Sequence, residues 1–283
     1  YYLAFAGVVN VILNLFFVIV CHLGVAGVAL ASMISQFISA FLILRALLTG
    51  KEKYCLRLSE IRFDKRKAVG ILQIGIPSAF QYSLFAFANL FVQSSVNSFD
   101  HVLVEGNSAA ANADPLVYDM MAAFYTACSS FIAQNFGARK KKRILQTYLI
   151  CLFYSFITSL VLGVGIYLAR YPFLYLFTSD KAVVEAGITR LSIMALSYSA
   201  SAFMDASIAA SRGLGKTAVP TFVVVMGSCV FRIIWIYTIF AYFHTIQSLY
   251  ILYVFSWGIT AIAENIYFFH VYRHTLTEKK ELC

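Results

Sequence analysis

An all-α integral membrane protein with eight transmembrane helices is the fold class this sequence predicts. Three observations carry that reading. Of 283 residues, 61% are hydrophobic and only 12% are charged, where a soluble domain carries about 25% charged residues. Apolar runs of about 20 residues, long enough to cross a bilayer, recur from one end of the chain to the other. The basic residues gather in the gaps between those runs. The net charge of +9 therefore reads as membrane topology, and nucleic acid is not expected as a partner.

The spans follow in order. The first is predicted at 2–20 and the second at 25–48, with a short turn at 21–24. Residues 49–67 are polar and basic. The third span is predicted at 68–98 and is long, and a Gly/Asn/Ser loop is expected at 100–113. The fourth runs 114–136, the fifth 145–169, the sixth 183–210, the seventh 217–240 and the eighth 248–272. The tail 273–283 is charged and expected to fray. Pro77, Pro115 and Pro220 lie near predicted helix starts and read as first-turn prolines, so no kink is demanded.

Orientation follows from the Lys/Arg bias. Eighteen basic residues fall in or beside the segments 49–67, 137–143, 211–216 and 273–283, against Arg170 and Lys181 in the opposite gaps. The basic segments and both ends of the chain are expected to be cytoplasmic, in a multi-pass protein of the cell membrane.

A repeat is legible in spacing. Gly7 opens an apolar run reaching His22, followed by a long helix ending near Arg45. Gly227 stands in a run reaching His244, followed by one ending at Arg273. Helical hairpins in general share that layout. The alternative is a repeating six-helix unit, of which the chain holds the last two helices of one copy and all of another. On that reading 1–49 belongs to an incomplete N-terminal lobe, 50–67 is a cytoplasmic linker, 68–272 is a complete six-helix C-terminal lobe and 273–283 is a cytoplasmic tail.

The fourth span has a polar side. At 100° per residue, Asp114, Tyr118, Tyr125 and Ser129 fall within about 60° of one another. Among apolar neighbours such a side faces a cavity. Asp114 is placed to bind a cation or a proton there, or to cap its helix, since an acid before proline suits the first turn. Asp119, one turn deeper, is beyond the reach of capping. Asp205 and Glu264 are the other acids inside spans, and Arg212 and Arg232 are their expected structural partners. Four acids against Arg190 and Arg232 leave surplus negative charge, which suits a cation. Tyr82, Tyr118, Tyr125 and Tyr198 could line such a cavity through cation–π contacts.

Several stretches resemble the multidrug and toxic compound extrusion (MATE) family: GVVNVILNLFFVI at 7–19, GVAGVALASMISQ at 24–36 and GIPSAFQYSLFAFANLFVQSSVNSF at 75–99. They continue with GNSAAANADPLVY at 106–118, SSFIAQNFGARK at 129–140, SRGLGKTAVP at 211–220 and VFRIIWIY at 230–237. A full-length member has twelve helices in two lobes, so the resemblance implies that the first four are absent from this chain. It implies a cation-coupled antiporter, acting as a monomer, that exports small organic compounds, often cationic, by alternating access. It also implies that Asp114 is the family's membrane-edge acid. Sodium-coupled members often carry a glutamate on the helix corresponding to 68–98; here Gln81 is the nearest polar analogue, which leaves proton or sodium open as the coupling ion. A lipid-linked saccharide flippase would need more basic cavity residues, and a channel or receptor subunit would need a pore-lining ring that is not legible.

Enzymatic chemistry has no footing. There is no Ser/His/Asp order and no zinc motif, so neither catalytic residues nor an organic cofactor is expected. The six cysteines are scattered without disulfide or metal-ligand spacing. RGLGKT at 212–217 imitates a phosphate loop, but Ala210 stands where a glycine is needed and a helix precedes it.

Overall fold

Among the described residues, eight helical spans are long and apolar enough to cross a membrane. The structure, a computed structural model, describes residues 1–50 and 55–274. The expected tail beyond His274 and residues 51–54 of the basic linker lie outside the described residues. Every regular element among the described residues is helical. The fold divides into two units, Tyr1–Lys65 and Arg66–Cys283.

In the smaller unit, α1 (Tyr2–Leu15) runs on through a π-helical turn at Phe16–Val20 and folds back as α2 (Gly24–Thr49). A polar side chain stitches the hairpin: the Asn10 amide of α1 donates to Ser35 Oγ of α2 at 3.2 Å, while within α1 Asn14 donates to Asn10 Oδ1 at 3.0 Å. Interhelical bonds of this kind hold helices where no hydrophobic driving force separates them from lipid.

The larger unit is built around α8 (Lys181–Gly213). Its apolar stretch is 67% buried, more than any other span. Against it pack α4 (His101–Ala111), α5 (Ala113–Gly137), α6 (Lys141–Leu168), the short α7 (Arg170–Tyr175) and α12 (Ile246–His274). Gly163 allows the α6 contact, since a Cβ there would sit 2.1 Å from the Ala195 carbonyl oxygen. Between α8 and α12 the chain passes through α9 (Ala218–Val224), α10 (Phe231–Trp235) and α11 (Ala241–Phe243), joined by π-helical turns. α3 (Lys65–Val96) is largely exposed and touches the bundle through Gln81, Ala88, Val92 and Val96.

Two expectations need correction. The predicted loop at 100–113 is the helix α4, capped by Asp100, whose carboxylate accepts from the Leu103 N–H at 2.9 Å. Its small residues are packing devices: a Cβ on Gly106 would meet the backbone of α8 at 2.8 Å, and Ala110 is fully buried. Pro77 is not in a first turn but deep inside α3. It cannot donate to the Gln73 carbonyl four residues back. The Thr217 hydroxyl, reaching over from the turn after α8, donates to that carbonyl at 3.3 Å. The helix continues because another element satisfies the freed acceptor. Pro115 and Pro220 do stand in first turns, those of α5 and α9.

The spacing repeat has a counterpart in local conformation. His22 and His244 both adopt left-handed φ, 53° and 48°, and each follows a π-helical turn and precedes a long helix.

Candidate functional site

Polar groups inside the larger unit collect around two cavities. The first, about 280 Å³, is lined by Asn89, Asn107, Asp114, Tyr118, Arg190 and Trp257 among others. The second, about 250 Å³, is lined by Gln81, Tyr82, Tyr125, Asp205 and Arg212. Phe85, Tyr118 and Trp257 line both and form the wall between them. Tyr118 meets Trp257 edge-on at 6.1 Å and Tyr198 edge-on at 5.7 Å.

Asp114 does not cap α5. The cap position is Asn112, whose side chain makes no capping bond to α5, and Asp114 stands in the first turn with its carboxylate turned to other partners. Its Oδ2 accepts from Arg190 Nη2 at 2.7 Å, and its Oδ1 accepts from the Tyr198 hydroxyl. An acid and a cation in a membrane interior find each other because neither can be left alone there. Tyr198 therefore does not line a cavity wall: it is buried behind Asp114 and holds it. Arg190 is a site residue that sequence reasoning counted as charge but did not pair.

Asp205 and Arg212 line the same cavity but are not hydrogen-bonded to each other. Arg212 Nη2 donates to Gln81 Oε1 at 3.0 Å, and the guanidinium lies 5.7 Å from the centre of the Tyr82 ring. Thr221 also donates to Gln81 Oε1, at 3.3 Å. Gln81 is thus the buried acceptor that ties α3 to α8 and α9. The half-buried Asp205 accepts no hydrogen bond among the described residues. Tyr125, on the α5 face predicted to be polar, lines the same cavity.

Neither Arg232 nor Glu264 has the expected partner. Arg232, fully buried, donates through Nη1 to Asn89 Oδ1 at 2.7 Å and through Nε to Ser256 Oγ at 3.4 Å. Phe85 and Tyr253 lie 4.7 and 4.5 Å from its guanidinium carbon. Glu264 is fully buried on α12, and both its carboxyl oxygens lack a hydrogen-bond partner among the described residues. Asp119 is exposed and lines neither cavity. The predicted pool of four acids is therefore dispersed over separate environments, and no surplus of negative charge collects at one place.

The MatE family model matches residues 77–238, more than half of the chain. Among curated proteins, the probable multidrug resistance protein YpnP of Bacillus subtilis is 30% identical over 144 residues, half of this chain and 32% of that one. The probable multidrug resistance protein NorM of Thermotoga maritima is 24% identical over 204 residues, 70% of this chain and 43% of that one. The chain thus spans from a third to under half of these relatives' lengths. Among solved structures, an outward-facing multidrug resistance MATE family transporter of the MOP superfamily superimposes with a TM-score of 0.87 at 20% identity. That match covers 96% of this chain and 61% of the other. These neighbours are transporters rather than enzymes, and the eight spans make this a multi-span membrane protein. Family model and fold agree over most of the residues that line both cavities, and the chain belongs to the MatE family.

Proposed function

We propose that this chain serves a cation-coupled antiporter of the cell membrane that exports small organic compounds by alternating access. The observation that carries the reading is Asp205: a half-buried carboxylate, free of hydrogen bonds among the described residues, on a cavity walled by aromatic rings. A desolvated acid facing Tyr82, Tyr125 and Trp257 attracts an organic cation through charge and ring faces together. Gradient energy and cargo couple when a proton or sodium ion and the cargo favour different states of the transporter. Competition for one carboxylate is the simplest arrangement that achieves this. The coupling ion stays open between proton and sodium.

The basic ends of the helices support a cytoplasmic placement for that side. Lys141 Nζ donates to the Arg273 carbonyl at 2.9 Å and lies over the Tyr272 ring, so the start of α6 and the end of α12 meet. Asp100 and Asp180 instead cap the helices that begin at the opposite face. On this topology Asp114 lies toward the outside and Asp205 toward the cytoplasm. We place the working unit as a monomer in the bilayer.

The test is export of an organic cation such as tetraphenylphosphonium by the intact transporter in vesicles, under separately imposed proton and sodium gradients. One gradient should drive export in the wild type, and Asp205→Asn should abolish it. Undiminished export by the Asp205→Asn variant under that gradient would contradict the assignment.

A further inference from the structure

The cavity beside Asp114 is rich in donors and has no free carboxylate. Both oxygens of Asp114 are occupied, one by Arg190 and one by Tyr198. Arg190 is 6% exposed, lines the cavity, and its Nη1 has no partner among the described residues. Arg232 stands behind the same wall, since its contacts Phe85, Asn89 and Tyr253 are all lining residues. It is fully buried, its Nη2 has no partner, and no acid pairs with it among the described residues. A guanidinium is ionised at every accessible pH. The wall therefore carries two positive charges against one negative charge.

Asn89 reports the same polarity. Its Oδ1 accepts from Arg232 Nη1 at 2.7 Å, so the group it can still present is its Nδ2, a donor. An apolar side chain at that position would cost less than burying a guanidinium with no counter-charge. An unpaired, fully desolvated arginine beside a cavity implies an anion that completes it.

We propose that this cavity binds the carboxylate of a small aromatic organic acid. Arg190 Nη1 and Asn89 Nδ2 serve as donors, Arg232 provides charge, and Phe85, Tyr118 and Trp257 provide the apolar wall. Guanidinium groups recognise carboxylates by charge-assisted hydrogen bonds stronger than neutral ones. A volume of about 280 Å³ is at the small end for ligand pockets, which fits a single-ring acid and not a lipid-linked saccharide. Binding here is independent of the export reading: it is measured in detergent, with no gradient, and stands or falls whether or not the transporter moves a cation.

The experiment is calorimetric titration of the purified wild-type transporter with 3-phenylpropionate and with 3-phenylpropylamine, its cationic isostere. The carboxylate should bind about tenfold or more tightly than the amine, the weight of a hydrogen bond to a charged group. Arg232→Gln should weaken the carboxylate about tenfold, and Arg232→Lys should recover most of that loss. The chain holds two tryptophans, Trp235 and Trp257. The carboxylate should change the tryptophan emission of the wild type, and that change should persist in Trp235→Phe and be lost in Trp257→Phe, which places the ligand in this cavity. An amine that binds as well as the acid, no saturable heat with the acid, an acid affinity unaltered in Arg232→Gln, or an unresponsive Trp257 would each overturn the proposal. If Arg232→Gln does not fold, the acid-against-amine comparison in the wild type decides alone.

Discussion

Around one cavity the carboxylate of Asp114 accepts from both Arg190 and Tyr198; around its neighbour the carboxylate of Asp205 accepts from nothing among the described residues, although Arg212 lines the same space. The two places contain the same ingredients, an acid, an arginine and tyrosines, and reach opposite arrangements. The difference lies in the competitors. Arg212 is drawn off by Gln81 and Tyr82 on α3, whereas the side-chain partner of Arg190 is the acid itself. One acid is thereby built into the packing of α5 on α8, and the other remains available. The lesson is that an intramembrane carboxylate is functional or structural according to what else competes for its cation, not according to its depth.

The largest effect expected from breaking this contrast is on stability. Asp114→Ala leaves Arg190 buried and unpaired, which costs about 3–5 kcal/mol where a buried pair loses one partner. Denaturant or thermal unfolding in detergent measures it, and the double variant Asp114→Ala/Arg190→Met should regain most of the loss. The same change at the other site, Asp205→Ala, removes no hydrogen bond and should stay within about 1 kcal/mol of wild type. Equal costs at the two positions would erase the distinction.

A smaller effect sharpens the role of α3. Thr217→Val deprives the Gln73 carbonyl of its donor and should cost about 1 kcal/mol. In a Pro77→Ala background the helix supplies its own donor, so the Thr217→Val penalty should shrink toward zero in a double-mutant cycle. Tyr198→Phe removes one of the two donors to Asp114 and should cost about 1 kcal/mol, with Arg190 still paired. Asp119→Asn, on an exposed position outside both cavities, should shift unfolding by no more than about 0.5 kcal/mol and leave export unaltered.

The eight spans were legible because bilayer thickness imposes run length, and run length is a property of sequence alone. The helix at His101–Ala111 was not, since Gly, Ala, Ser and Asn read as loop until α8 lies close enough to require small residues. Pro77 was misplaced for a related reason: the Thr217 hydroxyl that makes an interior proline tolerable is 140 residues away along the chain. Of the candidate site, Asp114 and Asp205 could be singled out because a charge inside a span is costly. Their fates could not. Arg190 is 76 residues from Asp114, and helical periodicity assigns a face without saying which helix meets it. Glu264 and Arg232 show the limit most plainly: each is buried, of opposite charge and on adjoining spans, yet Arg232 turns to Asn89 and Ser256.

The most direct measurement of the difference between the two acids is their chemical availability. A membrane-permeant carbodiimide, applied to the purified transporter and followed by peptide mass spectrometry, should modify Asp205 and leave Asp114 unmodified, and tetraphenylphosphonium should protect Asp205. Modification of Asp114 at a rate equal to that of Asp205, or labelling of Asp205 that the organic cation does not slow, would contradict the account.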